Sequence, residues 1–223
     1  MGITFLELQT KVASWFYGRT DLSAVIPDAC NIALHKLEQS FNFRGMLTHP
    51  TATIVAAGTG SYSVPSDYKE LKAAWFVDGG GTRWPLTKDS IRHSLTVSNN
   101  DTSKVADIPS VIIHDPAAGK FILKPMPSAT GSLDYYYYAT SPDMAGDADT
   151  NHILSGSWEM LLYGSLSEIA DMRNNLQDMQ KWAAKRDDVA TKVVQAEFRE
   201  EFAGSYLSLG GSYNMEGMSR SRR

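Results

Sequence analysis

The residues able to do chemistry are scattered along the chain. The imidazole and thiol groups are His35, His49, His93, His114, His152 and the single Cys30. No pair has the His-Glu-x-x-His spacing that sets two imidazoles on one helical face, and one thiol makes no cysteine cluster. The pattern therefore points to no zinc site. His152 follows Asp147 and Asp149 closely enough for a metal or acid–base cluster, but a solvated acidic linker accounts for the same residues. Glu197, Glu200 and Glu201 supply the carboxylates of a glycoside-cleaving pair, yet they share a helix face with other charges, and an ordinary wet surface explains them. Gly79, Gly80 and Gly81 lie between two strand-like stretches rather than ahead of a helix, so they read as a hairpin turn and not a phosphate cradle. There is no Gly-x-Ser-x-Gly, phosphate-loop or Gly-x-Gly-x-x-Gly pattern. The expected catalytic, cofactor-binding and metal-binding residues are none.

Aromatic side chains offer a different chemistry. Trp84, Trp158, Trp182 and the run Tyr135, Tyr136, Tyr137 and Tyr138 could form a stacking platform for sugars or bases. The helical tryptophans sit on apolar faces and read as core. The tyrosines fall in a strand, which sends two rings to each face. One pair is expected on the sheet core and the other exposed or against a neighbour, where tyrosine suits protein contact.

The elements that must position these residues follow from periodicity. Thr4 and Glu7 have capping-box spacing, and Phe5, Leu8, Val12, Trp15 and Phe16 form a helical stripe that Gly18 ends. A second helix starts near Ser23, tolerates Pro27 in its first turn, and lines up Ile26, Cys30, Ala33, Leu34, Leu37 and Phe41. From about residue 48 to 140 the pattern is strand and turn, broken by an expected short helix from Lys88 to Leu95 capped by Thr87 and a polar stretch from Ser98 to Ser110. Residues 141–151 form a polar linker. A strongly apolar helix is expected over Asn151–Leu176, capped by Ser155 or Ser157 and ended by Asn174 and Asn175. The longest helix then runs from Leu176 to Leu207.

The resulting expectation is an α+β fold. Helices from the two ends (1–47 and 141–203) form an antiparallel bundle, with an antiparallel β domain (48–140) inserted and an extended C-terminal arm from residue 204. The arm is the sharpest feature outside the core. Leu207, Leu209, Tyr213, Met215 and Met218 are more apolar than a solubilising tail requires, and Arg220, Arg222 and Arg223 add charge. Such an arm suits ordering on a partner.

Composition narrows the class. The chain has 223 residues, 43% hydrophobic and 21% charged, which suits one well-cored domain or two small ones. A net charge of −4 disfavours gripping nucleic acid through the overall field. Cys30 on an apolar helical stripe reads as a small buried hydrophobe, and no apolar run is long enough for a membrane span. The N-terminus lacks signal-peptide character, so work in a cytoplasm, or in something assembled there, is expected.

The order of segments resembles the head-to-tail adaptor (connector) proteins of tailed bacteriophages, especially short-tailed ones. Tyr62-Ser-Val-Pro-Ser-Asp-Tyr68 is similar to the family's Tyr-x-Leu-Pro-x-Asp-Phe segment, and Phe121-Ile-Leu-Lys-Pro-Met-Pro127 to its apolar-Pro-x-Pro strand. Asn151-His-Ile-Leu154 resembles its Asn-x-Leu-Leu loop. Trp158-Glu-Met-Leu-Leu-Tyr-Gly-Ser-Leu-Ser-Glu168 resembles its Leu-x-Tyr-x-Ala-Leu-x-Glu helix, with Ser165 where alanine is commoner. The tail Gly210-Gly-Ser-Tyr-Asn-Met215 is like that of some members. The resemblance implies a non-enzymatic ring, a dodecamer, under the portal vertex of the virion neck. DNA would pass through its channel without sequence-specific binding, and no cofactor would be needed. An arm carrying Leu207, Leu209, Tyr213, Asn214, Met215, Met218, Arg220, Arg222 and Arg223 would bind the portal protein. The β insertion would face the tail nozzle, fibres or neighbouring subunits, with Tyr135 to Tyr138 as a contact. Two other classes stay open: a virion-associated peptidoglycan hydrolase and a receptor-binding tail module.

Overall fold

The computed structural model describes residues 2–16, 20–90, 105–106 and 108–208. Helix α1 (Phe5–Trp15) starts on the expected capping box: Glu7 N–H donates to Thr4 Oγ1 at 3.3 Å, and Thr4 N–H donates to Glu7 Oε2 at 2.9 Å. Helix α2 (Ile26–Ser40) begins three residues later than Ser23, with Pro27 in its first turn. A short turn at Thr20–Leu22 occupies the approach to it. The expected stop at Gly18 lies outside the described residues.

The single helix expected over Asn151–Leu176 is two. Asn151 caps a short helix α3 (His152–Gly156) by accepting from Leu154 N–H at 2.8 Å. The chain turns at Ser157 and Trp158, and α4 (Glu159–Met172) follows without a side-chain cap. Asn174, at φ 54°, breaks α4 from α5 (Leu176–Ser208). The last helix therefore runs through residues assigned to the arm: 204–208 are helical in backbone.

Helix α4 is buried almost all round, with every residue from Met160 to Ala170 buried except Tyr163. It packs on α1, α2 and α5. Gly164 lets α2 come close, because a Cβ there would stand 2.9 Å from Ala33 Cβ. One core joins Phe5, Leu8, Leu34, Leu37, Leu161 and Ile169 from these helices.

The middle of the chain is two packed sheets over a second core. The five-stranded sheet joins β1 (Leu47–Thr48), β2 (Thr53–Val55), β4 (Tyr68–Val77), β5 (Arg83–Pro85) and β11 (Gly131–Ala139), all antiparallel. The four-stranded sheet has the order β3 (Ser61–Ser63), β9 (Lys120–Lys124), β8 (Val111–Asp115), β6 (Thr87–Asp89). Its β6–β8 pair is parallel, as is the small pair of β7 (Val105–Ala106) with β10 (Met126–Pro127). The α+β class holds, with antiparallel pairing dominant.

Strand β6 replaces the start of the helix expected from Lys88. Thr87 N–H donates to Ser110 O at 2.9 Å, and Thr87, Lys88 and Asp89 align with Val111, Ile112 and Ile113. A partner over twenty residues away overrides local helical spacing. Residues 91–95 of that expected helix, and most of the 98–110 stretch, lie outside the described residues.

Candidate interaction surfaces

The tyrosine strand divides as its period requires. Tyr135 and Tyr137 are buried in the β core. Tyr137 O–H donates to Asp67 Oδ1 at 2.9 Å, and burial, with that carboxylate beside it, pushes the phenol up to about 12. Tyr138 packs at the rim of the helical core. Tyr136 stacks on His49 at 4.4 Å between ring centres and meets Trp75 edge-on at 6.0 Å. On the same face the carboxylate of Asp134, only 4% exposed, accepts from His49 Nε2 at 2.5 Å and from Arg83 Nη2 at 2.9 Å. Of the four tyrosines, Tyr136 and Tyr138 are half-buried, and the Tyr136 ring is braced by His49 and Trp75.

A polar joint connects the helices to the sheets. Glu38, at the end of α2, is fully buried and accepts from Ser141 N–H at 2.9 Å and Ser141 Oγ–H at 2.5 Å. Lys69 of β4 donates its ammonium to the carbonyls of Glu38 and Phe41, so one cation closes the open end of α2. Asn42 Nδ2 donates to Glu70 Oε2 at 2.9 Å, and Lys88 Nζ to Glu70 Oε1 at 2.8 Å; these bonds hold the Glu70 carboxyl below its ordinary value. His152 Nδ1 stands 3.9 Å from Glu38 Oε1, while its buried Nε2 has no hydrogen-bond partner. Burial lowers this imidazole's pKa, with Glu38 opposing.

A second polar contact pins the helices. Lys36 Nζ donates to both oxygens of Glu168, at 2.8 and 2.7 Å. On the α1–α4–α5 face cations sit on rings: Lys11 over Trp158 at 4.7 Å, Lys181 over Trp182 at 4.6 Å, and Lys185 over Trp182 at 4.9 Å. Tyr163 stacks on Trp182 at 5.9 Å. Trp182 is buried, as its apolar face suggested; the lysines above it were missed because sequence spacing does not reveal what covers a ring.

Several of the candidate chemical groups are held by bonds within the fold. Asp149 accepts from Ala145 N–H and Gly146 N–H at 2.8 and 2.7 Å, which lowers its carboxyl's pKa. Glu197 accepts from Arg44 N–H at 2.8 Å and Glu200 from Arg44 Nη1 at 3.1 Å. Asp78 accepts from the amides of Gly80 and Thr82, both at 2.9 Å, closing the turn whose Gly81 has φ 84°. Among the described residues no group of three His, Cys, Asp or Glu is placed to hold a metal, and no helix is long and apolar enough to cross a membrane. Of the arm residues, Leu207 lies in the backbone of α5. Leu209, Tyr213, Asn214, Met215, Met218, Arg220, Arg222 and Arg223 lie outside the described residues.

No curated protein matches this chain. A family model described as SU10 adaptor protein matches residues 3–207, spanning both helical segments and the sheets between them. By that match the chain belongs to the SU10 adaptor protein family and is a phage head-to-tail adaptor, as its segment order suggested.

Proposed function

We propose that the protein is a purely structural adaptor that forms a ring below the portal of a short-tailed phage, joins capsid to tail and continues the DNA channel. The single observation carrying this reading is the family match over residues 3–207. The fold supports it. Asp149, Glu197 and Glu200 are committed to hydrogen bonds and ion pairs within the fold, while the helices carry exposed apolar residues such as Leu6, Trp15, Leu176 and Phe198. In this reading twelve copies pack side by side, the residues beyond Ser208 engage the portal, and the outer sheet face around Tyr136 meets a tail protein or a neighbouring subunit. DNA passes without base-specific contacts.

The helical backbone of residues 204–208 moves the useful truncation point to Ser208. Removing residues 209–223 should leave the folded body intact, by circular dichroism, and abolish binding to purified portal in a pull-down. Unchanged portal binding would remove the arm from the mechanism.

A further inference from the structure

The ring reading leaves open which faces of neighbouring copies meet. Helix α4 packs on both α2 and α5. Two exposed patches, one on α5 and one on the linker beside α2, differ in charge.

On α5, Lys181 and Lys185 are exposed and held over Trp182, and Lys185 also lies 5.5 Å from the Tyr163 ring centre. Among the described residues neither has a carboxylate partner. The nearby Asp178 is committed to the start of α5, accepting from Asn175 Nδ2 at 2.7 Å. Trp15 touches Trp182 edge-on at 5.1 Å and stays 49% exposed, with exposed Met172 and Leu176 at the α4–α5 turn.

The linker laid beside α2 carries the opposite sign. The linker after β11 is tied to α2 by Asn31, which donates to Met144 O and accepts from Met144 N–H, both at 3.0 Å. His35 Nε2 lies 2.6 Å from Asp143 Oδ1. Further along, Leu6 N–H donates to Asp147 O at 3.1 Å, which lays the linker against α1. Asp143 and Asp147 are exposed, and the Asp147 carboxylate has no partner among the described residues. Leu6 and Ile32 add exposed apolar surface on α1 and α2.

The Lys181 and Lys185 band thus lies with exposed Trp15, Met172 and Leu176, and the Asp143 and Asp147 linker with exposed Leu6 and Ile32, so the two patches are complementary in charge. We propose that the Lys181 and Lys185 band of one copy receives the Asp143 and Asp147 linker of a second copy of this chain. The contact uses different surfaces on the two partners, which is what a closed ring or an open filament requires, whereas a two-fold dimer needs one self-complementary patch. Lysines already seated on rings lose less side-chain freedom when they pair. This inference rests on the ring reading and adds its interface.

The test is a charge swap in the full chain, with mass photometry of the assembly formed with purified portal and circular dichroism as a folding check. K181E/K185E and D143K/D147K should each raise the concentration for half-assembly by at least about tenfold, since like charges then face one another. The fourfold variant carrying both changes should return to within about threefold of wild type, because the attraction is reversed but restored. Assembly of wild type with neither double variant weakened, or no recovery in the fourfold variant, would overturn the interface. Failure of wild-type protein to assemble with portal would overturn the ring reading itself. Binding of duplex DNA to wild-type protein that is lost in K181E/K185E, with assembly unchanged, would assign the band to nucleic acid and also overturn the proposal.

Discussion

Replacing Lys36 by methionine tests what holds α2 to α4. The substitution keeps the length and apolar stem of the side chain but removes the ammonium that donates to both oxygens of Glu168, at 2.8 and 2.7 Å. Glu168 has a side chain only 8% exposed, so its carboxylate would be left with little water and no cation. Removing one partner of a fully buried pair costs about 3–5 kcal/mol. Lys36 is 51% exposed, so water reaches this pair and the expected cost falls to about 2 kcal/mol. For a domain of this size, 1 kcal/mol moves the melting temperature by about 2–4 °C, which gives a loss of about 4–8 °C. Differential scanning calorimetry at pH 7 would measure it. The double variant K36M/E168L removes the stranded charge as well and should recover most of the loss, since apolar replacements of buried pairs are often neutral. A K36M melting temperature within about 1 °C of wild type would refute the argument, because such a shift is worth under about 0.5 kcal/mol.

Two further outcomes follow from buried groups. Burial holds His152 below its ordinary pKa, so as pH falls the unfolded chain takes up the proton first. The contribution of this histidine is fully present above about pH 6.5 and is lost progressively below it. The fall in melting temperature between pH 7.5 and 5.5 should be smaller in His152→Leu than in wild type; an equal fall would assign the pH dependence elsewhere, with His114, also lowered by burial, the first alternative. Burial pushes the Cys30 thiol up to about 11, against the opposing hydrogen bond from Ser165. Iodoacetamide at pH 8 should label it only as fast as the protein unfolds in urea, and rapid stoichiometric labelling of native protein would contradict this burial.

The helices were legible because their apolar stripes are long and their punctuation is local: Thr4 with Glu7, Pro27, and Asn174 each act within one turn. The division of the tyrosine run was legible for the same reason, since a strand alternates whatever it packs against. The break at Ser157 and Trp158 was not, because helical spacing continues across it and only the packing of α3 reveals the turn. Strand β6 and the polar joint were hidden by distance along the chain. Glu38 reads as a surface charge until Ser141, over a hundred residues later, is brought against it. The cation-bearing face was half legible: the rings of Trp158 and Trp182 were visible on apolar stripes, but the lysines over them were not.

The central claim is a structural adaptor that assembles as a ring on the portal. The most direct test is the mass of the complex formed by full-length protein with purified portal, compared with the protein alone. The account predicts a discrete closed assembly with portal, at a fixed number of copies, and twelve is the number the ring reading requires. A single copy per portal subunit bound without contact between copies, or no complex at all, would contradict it.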